Sequence, residues 1–156
     1  MQFRDLKKQY EVLKLSIDAA IHDVIVNTSF ISGPQVAELE RQLAAYVGRK
    51  HCITCGNGTD ALSMALMAWG IKEGDAVFVP DFTFFATGEV VSFEGATPIF
   101  VDVDEDTFNM DVEKLEEAIK AVLEEGKLVP KLVIPVDLFG LLADYEKIEA
   151  VAKNMI

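Results

Sequence analysis

The chain has 156 residues, 51% of them hydrophobic, enough for one domain with a proper core and too few for two well-sized ones. Basic residues number 14 against 26 acidic ones, and no Lys/Arg cluster is long enough to track a phosphate backbone or an anionic bilayer, which excludes nucleic acid and membrane surfaces as partners. No segment approaches the length of a membrane span, and Arg4, Lys7 and Lys8 near the N-terminus have no apolar run behind them, so a soluble cytoplasmic protein is expected.

From Leu6 to Ile25, apolar residues at Leu6, Tyr10, Leu13, Ile17, Ala20, Ile21 and Val24 follow helical spacing. A loop, N-T-S-F-I-S-G-P, leads to Pro34, which suits the first turn of a second helix carrying Val36, Leu39, Leu43, Tyr46 and Val47 and stopped by Gly48. A strand is expected at His51 to Cys55, then a glycine turn and a helix presenting Leu62, Ala65, Leu66 and Trp69 up to Gly70. Ala76 to Val79 reads as the next strand, closed by Pro80, with a helix from Thr83 to Phe93 and a further strand from Thr97 to Val101 after Gly95. Asp111 is placed to cap a helix bearing Val112, Leu115, Ile119, Val122 and Leu123, with Gly126 at its end. Leu132 to Val136 is the last expected strand and Asp144 to Lys153 the last helix. Such alternation predicts an α/β fold of three layers, a mainly parallel sheet with helices on both faces. Ligands of these sheets lie at the carboxyl ends of strands, where the Gly56 turn, Asp81 to Phe84 and Asp137 to Gly140 would converge. The alternating pattern demands another strand after Ile156, so the chain reads as cut short.

The segment C-G-N-G-T-D-A-L is a glycine turn opening a helix, whose unpaired N–H groups and partial positive charge suit a phosphate. Gly56 to Ala61 also fits G-x-G-x-x-A, and Asp81 follows Gly58 by about twenty residues, where a ribose-binding acid belongs, which keeps a dinucleotide-binding oxidoreductase domain open. Asp60 beside a phosphate would repel it, so its side chain is expected to turn away and support the helix start. Of Phe82, Phe84 and Phe85, at most one should face a ligand, where its ring could stack on a cofactor. Asp102, Asp104, Asp106 and Glu113 have calcium-loop spacing, but Thr107 stands where the sharp turn needs glycine, so a solvated acidic turn is expected. Cys52 and Cys55 lack further zinc ligands beyond His22 and His51 and are read as buried structural cysteines. His22 reads as a surface or packing residue. Ser29, Ser32, Ser63 and Ser92 lack the strained elbow of a nucleophile, so hydrolysis is not supported.

The run of segments F-R-D-L-K-K-Q-Y, F-I-S-G-P-Q-V-A-E-L-E, C-G-N-G-T-D-A-L, G-D-A-V-F-V-P-D-F-T-F-F-A-T, G-A-T-P-I-F-V-D-V-D and P-V-D-L-F-G, in that order along the chain, resembles the DegT/StrS-type nucleotide-sugar aminotransferases. These are pyridoxal-phosphate enzymes of the aspartate-aminotransferase fold. The resemblance implies that residues 1–156 are the N-terminal part of an incomplete cofactor-binding large domain, with helices and a substrate loop in 1–50 and the sheet portion in 51–156. It further implies that Gly58 and Thr59 hold the phosphate of pyridoxal 5'-phosphate, that Phe84 stacks on its ring, and that Ser29, Phe30 and Thr83 lie near the sugar.

The same resemblance assigns the Schiff-base lysine and the acid paired with the pyridine nitrogen to polypeptide beyond Ile156. None of Lys50, Lys72, Lys114, Lys127 or Lys147 sits in that lysine's motif, so no catalytic residue is expected in this chain, and the chain by itself is expected to be inactive. The implied reaction moves an amino group, from glutamate, onto a nucleotide-linked keto-sugar in surface-polysaccharide or amino-sugar biosynthesis, in a homodimer with its site at the subunit interface. Relatives with histidine in place of the lysine act as sugar dehydratases, which stands as an alternative.

Overall fold

The computed structural model describes residues 4–156, so Phe3, which opens the first of the family-like segments, lies outside the described residues. The chain divides into two compact units, Met1–Thr54 and Cys55–Ile156.

The first unit is built on two helices. Helix α1, Leu6–Val26, starts at Asp5, whose carboxylate accepts from the Lys8 amide at 2.9 Å. None of its residues is buried, although Leu13, Ile21 and Ile25 are among its apolar stripe. Helix α2, Pro34–Tyr46, has its proline in the first turn, where a missing N–H costs nothing. Between them Gly33 is closed to any side chain, because a Cβ there would lie 2.6 Å from the Ser29 carbonyl oxygen. The strand expected at His51 to Cys55 does not form: among the described residues these positions have no ladder partner. Val, Ile and Thr make a strand only beside another strand. Instead the Glu40 carboxylate takes the Thr54 amide at 2.9 Å and the Thr54 hydroxyl at 2.8 Å, which holds the Glu40 carboxyl below its ordinary range, the backbone bond contributing most.

The second unit holds helix α3 (Gly58–Ala68), strand β1 (Asp75–Pro80), helix α4 (Ala86–Phe93), strand β2 (Thr97–Val101), helix α5 (Val112–Glu125), strand β3 (Val129–Val133), a short 3-10 turn at Leu138–Gly140 and helix α6 (Tyr145–Met155). The three strands form a wholly parallel sheet in the order β2-β1-β3. From β1 the chain steps to one neighbour through α4 and returns across β1 through α5; right-handed crossovers in opposite directions put the two helices on opposite faces. Side chains of β1 alternate accordingly. Ala76 and Phe78 join Val101, Leu115, Ile119 and Ile148 on one face, while Val77 and Val79 join Leu66, Val90 and Val91 on the other. This is the expected three-layer α/β arrangement.

Two elements depart from expectation by three residues. Strand β3 begins at Val129, ahead of the expected Leu132, and tolerates Pro130 because it occupies an edge and its register shifts opposite Ala76 and Val77. Helix α4 begins at Ala86, so Thr83 and Phe84 stay in the loop after β1. Gly88 of α4 lies against the sheet, where a Cβ would meet the Phe100 ring at 3.3 Å. Helix α5 is bounded by its own signals: the Asp111 carboxylate accepts from the Glu113 and Lys114 amides, and Gly126 at φ 67 ends it.

Leu115 is fully buried and Leu123, on the same helix, is 50% exposed. Leu115→Ala should therefore cost about 2–5 kcal/mol of unfolding free energy and Leu123→Ala under about 1 kcal/mol, read from urea denaturation of the two variants side by side.

Candidate functional site

Parallel strands share a carboxyl rim, and on this rim the second unit forms a cleft of about 390 Å³. Its walls come from the start of α3 (Gly58, Thr59), the loop after β1 (Thr83, Phe84), the first turn of α4 (Ala86, Thr87) and the turn Asp137–Phe139. The convergence expected for the Gly56 turn, the Phe84 loop and the Asp137 loop is present, although Asp81 does not line the cleft; its amide donates to the Val101 carbonyl at 2.9 Å.

The start of α3 is capped locally and left open where it meets the cleft. Asn57 accepts from the Asp60 amide at 3.0 Å and its own side-chain N–H donates back to the Asp60 carboxylate at 3.0 Å, a reciprocal cap. The carboxylate is thus held over the turn beside Gly56 and takes no part in lining the cleft, as expected for Asp60. Among the described residues, the amides of Gly58 and Thr59 donate to no protein acceptor. A side chain at Gly58 would strike nothing within 4 Å and its φ is not positive, so packing does not demand a glycine there; its absence of bulk leaves the amide open.

Of the three aromatic residues after β1, Phe84 alone lines the cleft, 76% exposed along its rim. Phe82 turns instead onto Phe108, with ring centroids 5.5 Å apart, and Phe85 is exposed at the start of α4. The Thr83 and Thr87 hydroxyls, which also line the cleft, share a hydrogen bond of 3.0 Å, with Thr87 buried. Thr87 was not singled out from the sequence; its signal is the spacing of four from Thr83. No lysine lines the cleft among the described residues. Lys114, Lys127 and Lys147 are drawn into surface ion pairs with Glu117, Glu125 and Asp144.

Ser29 and Phe30 belong to the first unit. Phe30 helps line an apolar groove of about 450 Å³ with Ala20, Ile21, Val24, Ile25 and Gln35. The Ser29 hydroxyl is shielded from solvent without a hydrogen-bond partner among the described residues. Cys55 departs from expectation: it is exposed, and Cys52 half-buried, both as free thiols. The Cys55 residue lies beside the turn, where its thiol can donate to the Asn57 carbonyl at 3.1 Å, and that position at the start of the turn keeps it out of the core. His22 is exposed.

The acidic stretch after β2 is a self-bonded turn. Asp104 accepts from the Thr107 amide and hydroxyl, each at 2.9 Å, and from the Asp106 amide at 3.1 Å. Among the described residues no three His, Cys, Asp or Glu side chains are grouped to hold a metal.

A model of the DegT/DnrJ/EryC1/StrS aminotransferase family matches residues 12–155. The chain belongs to this family. It is 45% identical over 154 residues to UDP-2-acetamido-2-deoxy-3-oxo-D-glucuronate aminotransferase of Pseudomonas aeruginosa, covering 99% of this chain and 41% of that protein. The crystal structure of a family aminotransferase from Brucella abortus superposes with a TM-score of 0.95 at 54% identity, over 99% of this chain and 42% of that one. NtdA of Bacillus subtilis, solved with bound cofactor PMP, gives a TM-score of 0.77 at 31% identity over 88% of this chain and 30% of that one. This chain thus spans roughly two fifths of the relatives' length or less. Family membership displaces the dinucleotide alternative, in accord with Asp81 lying off the cleft.

Two predictions follow from these local bonds. Asn57→Ala removes the acceptor for the Asp60 amide and should lower unfolding free energy by about 1 kcal/mol in denaturant titration. The Thr107 amide and then its hydroxyl hold the Asp104 carboxyl below its ordinary range. A depressed folded-state pKa means the turn's contribution is complete above the ordinary carboxylate value and is lost as pH falls through the lower folded one. The Thr107 amide resonance should therefore stay constant down to the ordinary range and shift only in more acidic solution.

Proposed function

We propose that the polypeptide carrying this chain transfers an amino group from an amino acid, glutamate being the expected donor, to a keto-sugar carried on a nucleotide, with pyridoxal 5'-phosphate as cofactor. The observation that carries this reading is the meeting, in one cleft of a family member, of two open helix-start amides, a threonine hydroxyl and an exposed aromatic ring. That donor set fits a phosphate joined to a flat heteroaromatic ring.

In this arrangement the amides of Gly58 and Thr59 and the Thr59 hydroxyl hold the phosphate oxygens, and the partial positive charge at the start of α3 favours the dianion. Phe84 covers one face of the ring. Thr83, steadied by the Thr87 hydroxyl, presents a polar group toward the substrate side. When bound, the cofactor supplies the electron-withdrawing ring that lets a proton leave the carbon next to nitrogen. Among the described residues the cleft wall offers no amine, so these residues hold the cofactor noncovalently. Ser29 and Phe30 supply substrate contacts, the Phe30 side chain being exposed on its loop.

We further take the working enzyme to be a cytoplasmic homodimer. The apolar side chains that α1 leaves uncovered support self-association, and no helix among the described residues is long and apolar enough to cross a membrane.

The test is equilibrium dialysis of the chain against pyridoxal 5'-phosphate and against pyridoxal. Binding should require the phosphate, and Thr59→Val should weaken it by about tenfold, the worth of one hydrogen bond to a charged group. Equal retention of pyridoxal and its phosphate, or an unchanged Thr59→Val, would remove the basis of the reading. Conversion of a nucleotide-linked keto-sugar to the amine by the full-length polypeptide checks the reaction itself.

A further inference from the structure

One wall of the cleft, the turn from Asp137 to Leu142, follows the sheet but belongs to no strand or long helix. Its internal bonds are few: Leu138 to Val136, Gly140 to Asp137 and Leu141 to Leu138. Phe139 sits in it at φ 54, a left-handed conformation that bulky residues avoid, and its side chain is 90% exposed. Neither packing nor local hydrogen bonding by this ring accounts for a backbone held there. Such a conformation persists only where the surroundings over-determine it.

The surroundings that do so come from a distant part of the chain. Asn109, only 6% exposed, donates its side-chain N–H groups to the carbonyls of Leu141 and Leu142, each at 3.1 Å, and its Oδ1 accepts from the Leu138 amide at 3.3 Å. The carboxamide therefore grips both ends of the strained segment. Asn109 is itself fixed: its carbonyl accepts from the Asp104 amide at 2.9 Å, and its neighbour Met110 is buried in the core and bridged to Val103. On the other side of the turn, the Asp137 carboxylate accepts from the Ala143 amide at 3.0 Å. Asn109 does not line the cleft, so whatever it does there it does through the turn.

We propose that Asn109 is a positioning residue for the cleft: its carboxamide locks the Leu138–Leu142 turn and so sets Asp137, Leu138 and Phe139 opposite the open amides of Gly58 and Thr59. The side chain's two donors and one acceptor match the two carbonyls and one amide that the turn presents, a pattern that aspartate or leucine cannot reproduce. The residue's effect on a bound ligand rests on the cofactor reading above; its effect on the turn does not.

The experiment compares the chain with Asn109→Ala, Asn109→Asp and the core variant Ile119→Val. Amide hydrogen exchange should accelerate at least about tenfold in 138–142 in both Asn109 variants while β1 and α5 keep their protection. Affinity for pyridoxal 5'-phosphate should fall at least fivefold in both, whereas Ile119→Val should lose stability without losing affinity. In the unaltered chain the Asn109 side-chain amide protons should exchange slowly, a reading that needs no variant to fold. Unaltered exchange in 138–142, rapidly exchanging Asn109 side-chain protons, or an affinity loss equalled by Ile119→Val would each overturn the proposal. Should the unaltered chain fail to bind pyridoxal 5'-phosphate, the functional reading falls, and the exchange data still decide whether Asn109 sets the turn.

Discussion

Parallel pairing of β1 between two neighbours is the constraint on which the second unit rests. Every residue of β1 is buried, because both of its edges are hydrogen-bonded and both faces are covered by helices. An antiparallel hairpin could join its strands by a short turn, but a parallel sheet must return each connection across a face. That requirement generates the layers. It also gathers the loops that leave the carboxyl ends of β1 and β3 on one rim, together with the start of α3, so the cleft is a by-product of how the sheet satisfies its backbone.

Within that rim, the helix start divides its donors between structure and ligand. A helix leaves its first amides without internal partners, and each must find an acceptor or face water. Asn57 absorbs the third of these donors and, through its side-chain nitrogen, also donates to the Asp60 carboxylate. The first two remain directed at the cleft. An acidic residue in the first turn therefore supports the helix start without entering the cleft, so it does not stand against the proposed phosphate contact. Phe84 owes its availability to a neighbouring decision of the backbone: α4 starts at Ala86, and the residues before it stay in a bent loop.

Much of this was legible in the residues. Asp111 and Gly126 bound α5 as local chemistry dictates, and the alternation of apolar runs carries the three layers. Where expectation and structure part, long-range context decides. His51 to Cys55 has strand-like composition but no neighbouring strand, and a ladder needs two sides. Strand β3 starts ahead of the expected Leu132 and includes Pro130, which an edge position and a register shift accommodate. Asn109 was invisible because its importance lies in carbonyls 32 and 33 positions away, and no periodicity announces such a bond. Thr87 was missed although its spacing of four from Thr83 would have brought the two hydroxyls together on the expected helix as well.

Gly88 carries a last consequence. Because α4 meets the sheet through a residue without a side chain, the Phe100 ring fills the space that any larger residue at 88 would need. The two positions thus form a volume pair. A side chain at position 88 would have to push the Phe100 ring aside or lift α4, and with it Ala86 and Thr87 at the cleft wall, away from the sheet.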